Sequence, residues 1–540
     1  MSGIYENHQT TSSEPMFRSL GDLFFHSLNK FSERIFQYLD DTNEKITYSD
    51  ILEWSVSVAT KLKERGITEN DIICSCSHNQ KFSAIPFIAT QFLGAVICNL
   101  DPKLSHIDTV HLLKLIQPKI LFVAEESLHF IEKCLNKANV TTDMVVFGKS
   151  NKYTQFSEYV ISVNKRNFKL KTILDNSAPA AIFCSSGTTG LPKGICLSHK
   201  ALIKSANLNI SLDSNDPMVP NIILMYPTLY WISAAFNLIR ATLMGFASVV
   251  CKDFDPAHTW KLIEKYKVTS LFLATYHAVD FYKQQIPGLN VSSLQFFLTG
   301  SCPVPKRLIE NIRQILPHVS ILIAYGTTET AGIVSVFDTT KPDHTKMSIK
   351  KPNSVGKIKE EMKWKVVDID TEEVLGPNRQ GELRLKWDGY LMNGYFKMDT
   401  SSAYDTEGYF KTGDVVYYDE DECFYVENRI KEIFKYRGWH VLPAIIENVL
   451  LLHPAVKEAA VIGVPHEVDG EHPRAFVVLI PGFDQSCAKE IQTFVNEKVA
   501  DSQKLRGGVW IVDSIPKTAT GKIRRMDLGN FILNNIKVSD

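Results

Sequence analysis

Two rhythms of apolar residues alternate along the chain up to about Lys346. In "FRSLGDLFFHSLNKF" the residues Leu20, Leu23, Phe24 and Leu28 fall at helical spacing, so ordered structure is expected from near Phe17. Short apolar runs at 72–76, 95–100, 120–123, 144–147, 222–226, 247–251 and 270–273 read as buried strands. "DPAHTWKLIEKYKV" and "PKRLIENIRQIL" read as amphipathic helices between such strands. This alternation predicts an α/β architecture with largely parallel sheets. After Lys346 the texture changes: "WKVVDIDTEEVLGPNRQGELRLK" and "YFKTGDVVYYDEDECFYVENRI" read as strands and turns without a helix, as in a small barrel or meander. Beyond Arg429 a helix at 443–452, strands at 459–463 and 475–480 and a helix at 488–500 predict a second, smaller α+β domain. The boundary is expected at Asn428 and Arg429, giving domains 17–428 and 429–540. The longest apolar stretch, "AIPFIATQFLGAVICNL", is interrupted by Pro86, Gln91 and Asn99 and predicts a buried helix followed by a strand, not a membrane span.

Bulk composition narrows the class. A chain of 540 residues needs more than one core. Its 59 basic and 60 acidic residues give a net charge of −1, which leaves no electrostatic footprint for nucleic acid. The ten cysteines are scattered through apolar runs with no CxxC or Cys/His ligand spacing, so reduced thiols are expected. The polar start "MSGIYENHQTTSSEP" and the ending "IKVSD" predict a cytoplasmic protein with neither a secretory signal nor a peroxisomal tripeptide. His26, His78, His277, His318 and His472 have no catalytic company in the sequence.

Candidate chemistry begins where the apolar run 181–184 breaks into "SSGTTGLPKG". Gly187, Gly190 and Gly194 permit close backbone approach, and the amides, hydroxyls and Lys193 suit a polyphosphate. The stretch is not a P-loop, because no hydroxyl residue follows Lys193, and no kinase signature accompanies it. Three other stretches share its make-up. "AYGTTET" (324–330) follows an apolar strand, "YFKTGD" brings Asp414 to a turn, and "PKTATGKIRR" (516–525) presents Lys522.

Taken in this order, "SSGTTGLPKG", "YGTTET", "GELRLK", "GYFKTGD", "NRIKEIFKYRGWHV" and "PKTATGKIRR" resemble the signature segments of the adenylate-forming superfamily. That superfamily comprises acyl-CoA synthetases, adenylation domains and beetle-type luciferases, and the spacing here is closest to the coumarate-ligase and luciferase branch. The resemblance covers about Phe17 to Asn530. It implies a large N-terminal domain of two αβ subdomains plus a small β-barrel, with a mobile C-terminal domain. It also implies ATP, Mg²⁺, coenzyme A and a carboxylic acid as ligands.

By the same resemblance Ser185, Ser186, Gly187, Thr188, Thr189, Gly190 and Lys193 would wrap the β- and γ-phosphates. Tyr325 would stack on adenine, with the backbone of Gly300, Ser301 and Cys302 opposite, and Gly326 would border the nucleotide. Thr328 would touch the α-phosphate, Glu329 would hold Mg²⁺, and Asp414 with Arg429 beside it would take the ribose. Lys522 would bridge the acyl carboxylate and the α-phosphate. Asn428 would be the hinge, and Lys435, Arg437, Gly438 and Trp439 the loop that admits coenzyme A.

Three departures stand out. Asn428 replaces the usual Asp or Lys, and Ile323 stands where many relatives carry a polar residue for the adenine amino group. "MYPTLYWISAAF" replaces a His-rich run of the luciferases, so Tyr230, Trp231, Ile232 and Thr327 are candidates for the acyl pocket, with core filling the alternative for both aromatics. The expected activity is an AMP-forming acid:CoA ligase acting on a hydrophobic acid. A luciferase-like oxygenase, a carrier-protein adenylation domain and a nucleotide-binding paralogue are the alternatives.

Overall fold

The computed structural model describes residues 17–161, 168–184, 191–207, 221–387, 389–517, 522–525 and 527–529. They form a large N-terminal and a smaller C-terminal domain. The N-terminal domain is built around two long, mostly parallel sheets. One has the order Gly394–Tyr395, Gly194–Ser198, Pro179–Cys184, Val96–Leu100, Ile72–Cys76, Ile120–Ala124, Asp143–Phe147, Thr154–Gln155. The other runs Lys357–Ile358, Gly332–Val336, Ser320–Thr327, Phe296–Gly300, Ser270–Ala274, Ile222–Met225, Ala247–Val250, Ile35–Leu39, Lys45–Thr47. Parallel neighbours need crossover helices, which explains the alternation in the sequence. The expected helices are Pro256–Tyr266 and Lys306–Ile315. The first starts where Asp255 accepts the His258 N–H and Pro256 takes the first turn. The second buries Leu308, Ile309 and Ile312 along one face.

The helix-free region is a four-stranded antiparallel sheet of Lys363–Val367, Gly381–Lys386, Phe410–Tyr418 and Phe424–Arg429. A helix, Pro342–Lys350, precedes it, so the helical texture persists slightly beyond Lys346. Asp414 lies inside the strand Phe410–Tyr418, not at a turn before it, because the ladder to Phe424–Arg429 continues through Asp414 to Arg429. Past Arg429 a five-stranded sheet carries the long hairpin Val456–His466 and Gly470–Leu479, flanked by helices Pro443–Leu450 and Ala488–Asn496. Its own apolar core includes Val441, Ile446, Val461, Val477 and Ile491. No helix among the described residues is long and apolar enough to cross a membrane.

His199 ties the first helix to the sheet. The Leu20 N–H donates to its Nδ1 at 3.2 Å, the residue is fully buried, and its Nε2 has no hydrogen-bond partner among the described residues. Burial pushes its pKa down to about 4, against about 6.5 in the unfolded chain. The unfolded chain therefore binds the extra proton first, so this contribution to stability is complete above about pH 6.5 and is lost as pH falls towards 4. Acidification from pH 7 to 5 is expected to remove about 2 kcal/mol through this residue. Urea unfolding of His199→Gln at both pH values should show a shallower pH dependence than the wild type. An equal dependence would mean that the imidazole is not the group responsible.

Candidate active site

The two large sheets and the C-terminal domain border one cavity of about 1140 Å³. Its floor is the carboxyl ends of parallel strands, where side chains point out of the sheet into a crevice. Ser320–Thr327 lies parallel to Phe296–Gly300, with Gly300 opposite Ala324. This brings Gly300, Ser301 and Cys302 to the cavity wall beside Tyr325. Gly326 is required by packing: a Cβ there would lie 2.0 Å from the Gly332 carbonyl oxygen. The next turn, Thr328–Thr330, presents Thr328 and Glu329 to the cavity. Thr327 also borders it, its hydroxyl 3.2 Å from that of Thr330.

Asp414 is the centre of the polar group. It is 3% exposed and takes two hydrogen bonds on separate oxygens. Tyr325 Oη donates to Oδ2 at 2.7 Å, and Arg429 Nε lies 2.7 Å from Oδ1. Burial, followed by the Asp414 charge, drives the Tyr325 hydroxyl well above its ordinary pKa, so it remains a donor. The Asp414 charge holds Arg429 firmly protonated. Lys522 reaches the same cavity from the C-terminal domain. Burial first, and then the Arg429 guanidinium, lower its pKa below that of an ordinary lysine. Lys522 and Arg429 thus bring positive charge to the same part of the cavity as Asp414.

Glu329 has a neighbour that the sequence reading passed over. Tyr395 Oη lies 3.5 Å from its carboxylate, and Lys193 Nζ sits 4.7 Å from the centre of the Tyr395 ring. Burial pushes the Tyr395 hydroxyl up to about 12. The sequence did carry a signal, since the tetrapeptide GYFK occurs twice and its first copy contains Tyr395. Lys193 stands just before the strand Gly194–Ser198, whose Gly194 pairs antiparallel with Cys184. Ser185, Ser186, Gly187, Thr188, Thr189 and Gly190 lie outside the described residues.

The candidate acyl wall divides in two. Trp231 and Ile232 border the cavity, and Trp231 Nε1 donates to Asp101 Oδ2 at 3.2 Å. Thr228 Oγ1 donates to the same oxygen at 2.7 Å. Tyr230 does not line the cavity: it is 2% exposed and packs in the core with Ile182 and Cys184, edge-on to Trp231 at 4.7 Å. Residue 230 thus takes the core-filling role, because adjacent side chains at the start of the helix Ile232–Met244 point in different directions. Apolar lining comes from Ile223, Phe246, Phe272, Leu298 and Ile323. His277 also borders the cavity, stacked on Phe254 at 3.9 Å, and burial keeps it neutral with a pKa of about 4.

The loop expected to admit coenzyme A is not part of the cavity wall. Lys435 Nζ lies 3.3 Å from Asp370, and Trp439 is 69% exposed. Gly438 sits at φ +80, a conformation open to glycine at little cost. Arg437 Nε lies 2.6 Å from Asp469, which also accepts from His472 at 2.7 Å. His472 therefore does have a carboxylate partner, which the sequence reading missed. With His466 these groups bring their ligand atoms within 4.8 Å of one another. The Arg437 guanidinium on the shared carboxylate makes the group a polar anchor for the loop. Asn428 lies in the strand Phe424–Arg429, buried, with its Oδ1 accepting the Arg429 N–H at 2.8 Å.

Comparison with known proteins agrees with this geometry. Residues 24–396 match the model of the AMP-binding enzyme family, and residues 445–522 match that of the AMP-binding enzyme C-terminal domain. The chain is 30% identical over 490 residues to luciferin 4-monooxygenase of Photinus pyralis, covering 88% of this chain and 87% of that one. It is also 30% identical over 511 residues to peroxisomal OPC-8:0-CoA ligase 1 of Arabidopsis thaliana, covering 92% and 90%. Among solved structures it resembles the luciferase-like enzyme from the nonluminescent mealworm Zophobas morio, at 36% identity and a TM-score of 0.74, over 80% of this chain and 100% of that one. With the matched model spanning well over half of the sequence and Tyr325, Glu329, Asp414, Arg429 and Lys522 bordering one cleft, the chain belongs to the AMP-binding, adenylate-forming enzyme family.

Proposed function

We propose that the protein is an acid:coenzyme A ligase. It joins a carboxylic acid to ATP as an acyl-adenylate with release of pyrophosphate, then transfers the acyl group to coenzyme A with release of AMP. The observation that carries this reading is the convergence of Tyr325, Glu329 and Asp414 from the N-terminal domain with Arg429, at the domain boundary, and Lys522, from the C-terminal domain, in a single cavity.

In this reading adenine lies between the Tyr325 ring and the backbone at 300–302, and Asp414 accepts the ribose hydroxyls. The segment 185–190 and Lys193 hold the terminal phosphates, and Thr328 reaches the α-phosphate. An oxygen of the substrate carboxylate attacks the α-phosphorus, the bond to the pyrophosphate oxygen breaks, and charge builds on the phosphoryl oxygens. Lys522 and Arg429 meet that charge in a cleft that excludes much of the water, so they stabilise the transition state more than they could in solution. No side chain has to act as nucleophile, because the substrate is one. Glu329 fits a Mg²⁺ ligand: its carboxylate borders the cavity, with Thr328 next to it in the chain and room for phosphate oxygens and water. When bound, that ion neutralises phosphate charge.

For the second step the domain turns about Asn428, so that 17–428 and 429–540 move as units. The loop of Lys435, Arg437, Gly438 and Trp439 then borders the cleft, and the coenzyme A sulfur attacks the acyl carbonyl with AMP as the leaving group. Trp231, Ile232 and Thr327 form the acyl wall, and the apolar lining favours an acid with a hydrophobic body.

A second reading, a luciferase-like oxygenase, is favoured by one observation: luciferin 4-monooxygenases match the chain at the same identity as a CoA ligase. Pyrophosphate release with ATP, Mg²⁺ and a panel of short, medium, long-chain and aromatic acids, with and without coenzyme A, separates the two. The ligase reading expects release that needs one acid class and is accelerated by coenzyme A. Release indifferent to coenzyme A but coupled to oxygen uptake favours the oxygenase, and no release with any acid rejects both.

A further inference from the structure

One charged contact between the C-terminal and N-terminal domains is mostly withdrawn from solvent. Arg524 follows Lys522 by two residues, and its Nη2 lies 2.9 Å from Oδ2 of Asp108, 416 residues away. The Asp108 side chain is 11% exposed and that of Arg524 30%. Asp108 occupies the first turn of the helix His106–Ile116. The Ser105 hydroxyl donates to its Oδ2 at 2.7 Å and accepts its N–H at 3.1 Å. The acceptor is therefore fixed by its own helix before the arginine arrives.

Arg524 is anchored from the other side. Its N–H donates to the Pro516 carbonyl at 2.9 Å, and Lys517 pairs with Ile523 across the base of the segment that carries Lys522. Arg524 thus fastens the base of the Lys522 segment to the opposite domain. Neither Arg524 nor Asp108 borders the cavity, although Lys522, Ile523 and Arg525 do. Another ion pair between the domains, Lys435 to Asp370 at 3.3 Å, has both side chains more than half exposed and contributes little.

We propose that the Arg524–Asp108 pair is an orientation latch: it holds Lys522 in the cleft for adenylate formation and opens for the thioester-forming step. The inference rests on the two-step ligase reading above. In the present orientation the Gly438 loop stands outside the cavity, so a turn that brings it in carries Arg524 away from Asp108. Both are positioning residues, acting through Lys522 and not on the reacting atoms. Losing the pair penalises one orientation alone.

Arg524→Gln is the main test, with Asp108→Asn as its counterpart and Arg524→Lys as the conservative rescue. With hexadecanoate and 4-coumarate as probe acids, Arg524→Gln should slow single-turnover pyrophosphate release ~10-fold, as expected for a partly buried ion pair. Conversion of preformed acyl-adenylate by coenzyme A should stay unchanged or rise, and Arg524→Lys should recover most of the first step. Equal loss in both steps, or none in either, overturns the proposal. Amide hydrogen exchange of residues 105–116 with ATP and Mg²⁺ tests the pair without any acid. Exchange should be several-fold faster in Arg524→Gln than in wild type, and unchanged exchange overturns the latch. If wild type releases no pyrophosphate with either acid, that result tells against the activity, and the exchange measurement still decides the pair.

Discussion

Lys522→Ala is expected to slow acyl-adenylate formation by ~10²-fold or more while leaving ATP affinity within a few-fold of wild type. The reason lies in how the cleft divides its work. Tyr325 and Asp414 come from strand ends of the large domain and carry the nucleoside in the proposed function. Lys522 arrives separately, from the small domain, and contributes where two anions have to approach each other. Its ammonium is held at a lowered pKa by burial and by Arg429, and the negative charge of phosphate and carboxylate opposes both effects when they enter. An interaction strongest with the developing charge affects the rate of the chemical step far more than binding. Pyrophosphate release gives the rate, and calorimetric titration gives the ATP affinity. A loss confined to ATP binding would move Lys522 out of the catalytic role. The lowered pKa has a second consequence, with a definite sign. The free enzyme loses the required proton as pH rises through a value below the ~10.4 of an ordinary lysine. The alkaline fall in kcat/KM should therefore come early, and Lys522→Ala should lack it.

Asp414→Ala is expected to weaken ATP binding ~10²-fold, mostly as a rise in KM. The carboxylate is 3% exposed and holds both Tyr325 Oη and Arg429 Nε at 2.7 Å. Removing it deletes the proposed ribose acceptor and also leaves two donors without their partner. Breaking a fully buried pair costs about 3–5 kcal/mol. The Arg429 side chain is 46% exposed, so solvent screening reduces this, and about 2–3 kcal/mol is the expected loss. Tyr325→Phe removes a single hydrogen bond and should weaken binding only several-fold. ATP titration of both variants, after thermal denaturation has confirmed folding, gives the comparison. An affinity for Asp414→Ala within twofold of wild type would reject the ribose assignment.

How much of this was legible in the sequence follows from the range over which each feature is decided. Strands and helices were readable because their periodicity is set by neighbours a few residues apart, as in Lys306–Ile315 with its Leu308, Ile309 and Ile312 face. The family was readable because its glycine, hydroxyl and charged segments lie in a fixed order along the chain. Asp414 was assigned to a turn because "KTGD" contains a glycine, and Gly413 does take a positive φ of 68, yet the strand runs on through it to pair with Arg429. Tyr230 and Trp231 were indistinguishable as adjacent aromatics, and only packing against the sheet sent one into the core and the other to the cleft. His472 looked solitary because its hydrogen-bonded partner Asp469 belongs to a hairpin corner that also receives Arg437 from the turn between Phe434–Tyr436 and Trp439–Val441.

The sequence by itself determined the architecture, the family and the segments that carry the chemistry, since these depend on local periodicity and linear order. Tertiary structure alone decided which side chains meet. Tyr325 and Asp414 are 89 residues apart and Arg524 and Asp108 are 416 apart, and contacts at such separations are set by how sheets and domains pack, to which local sequence pattern is blind.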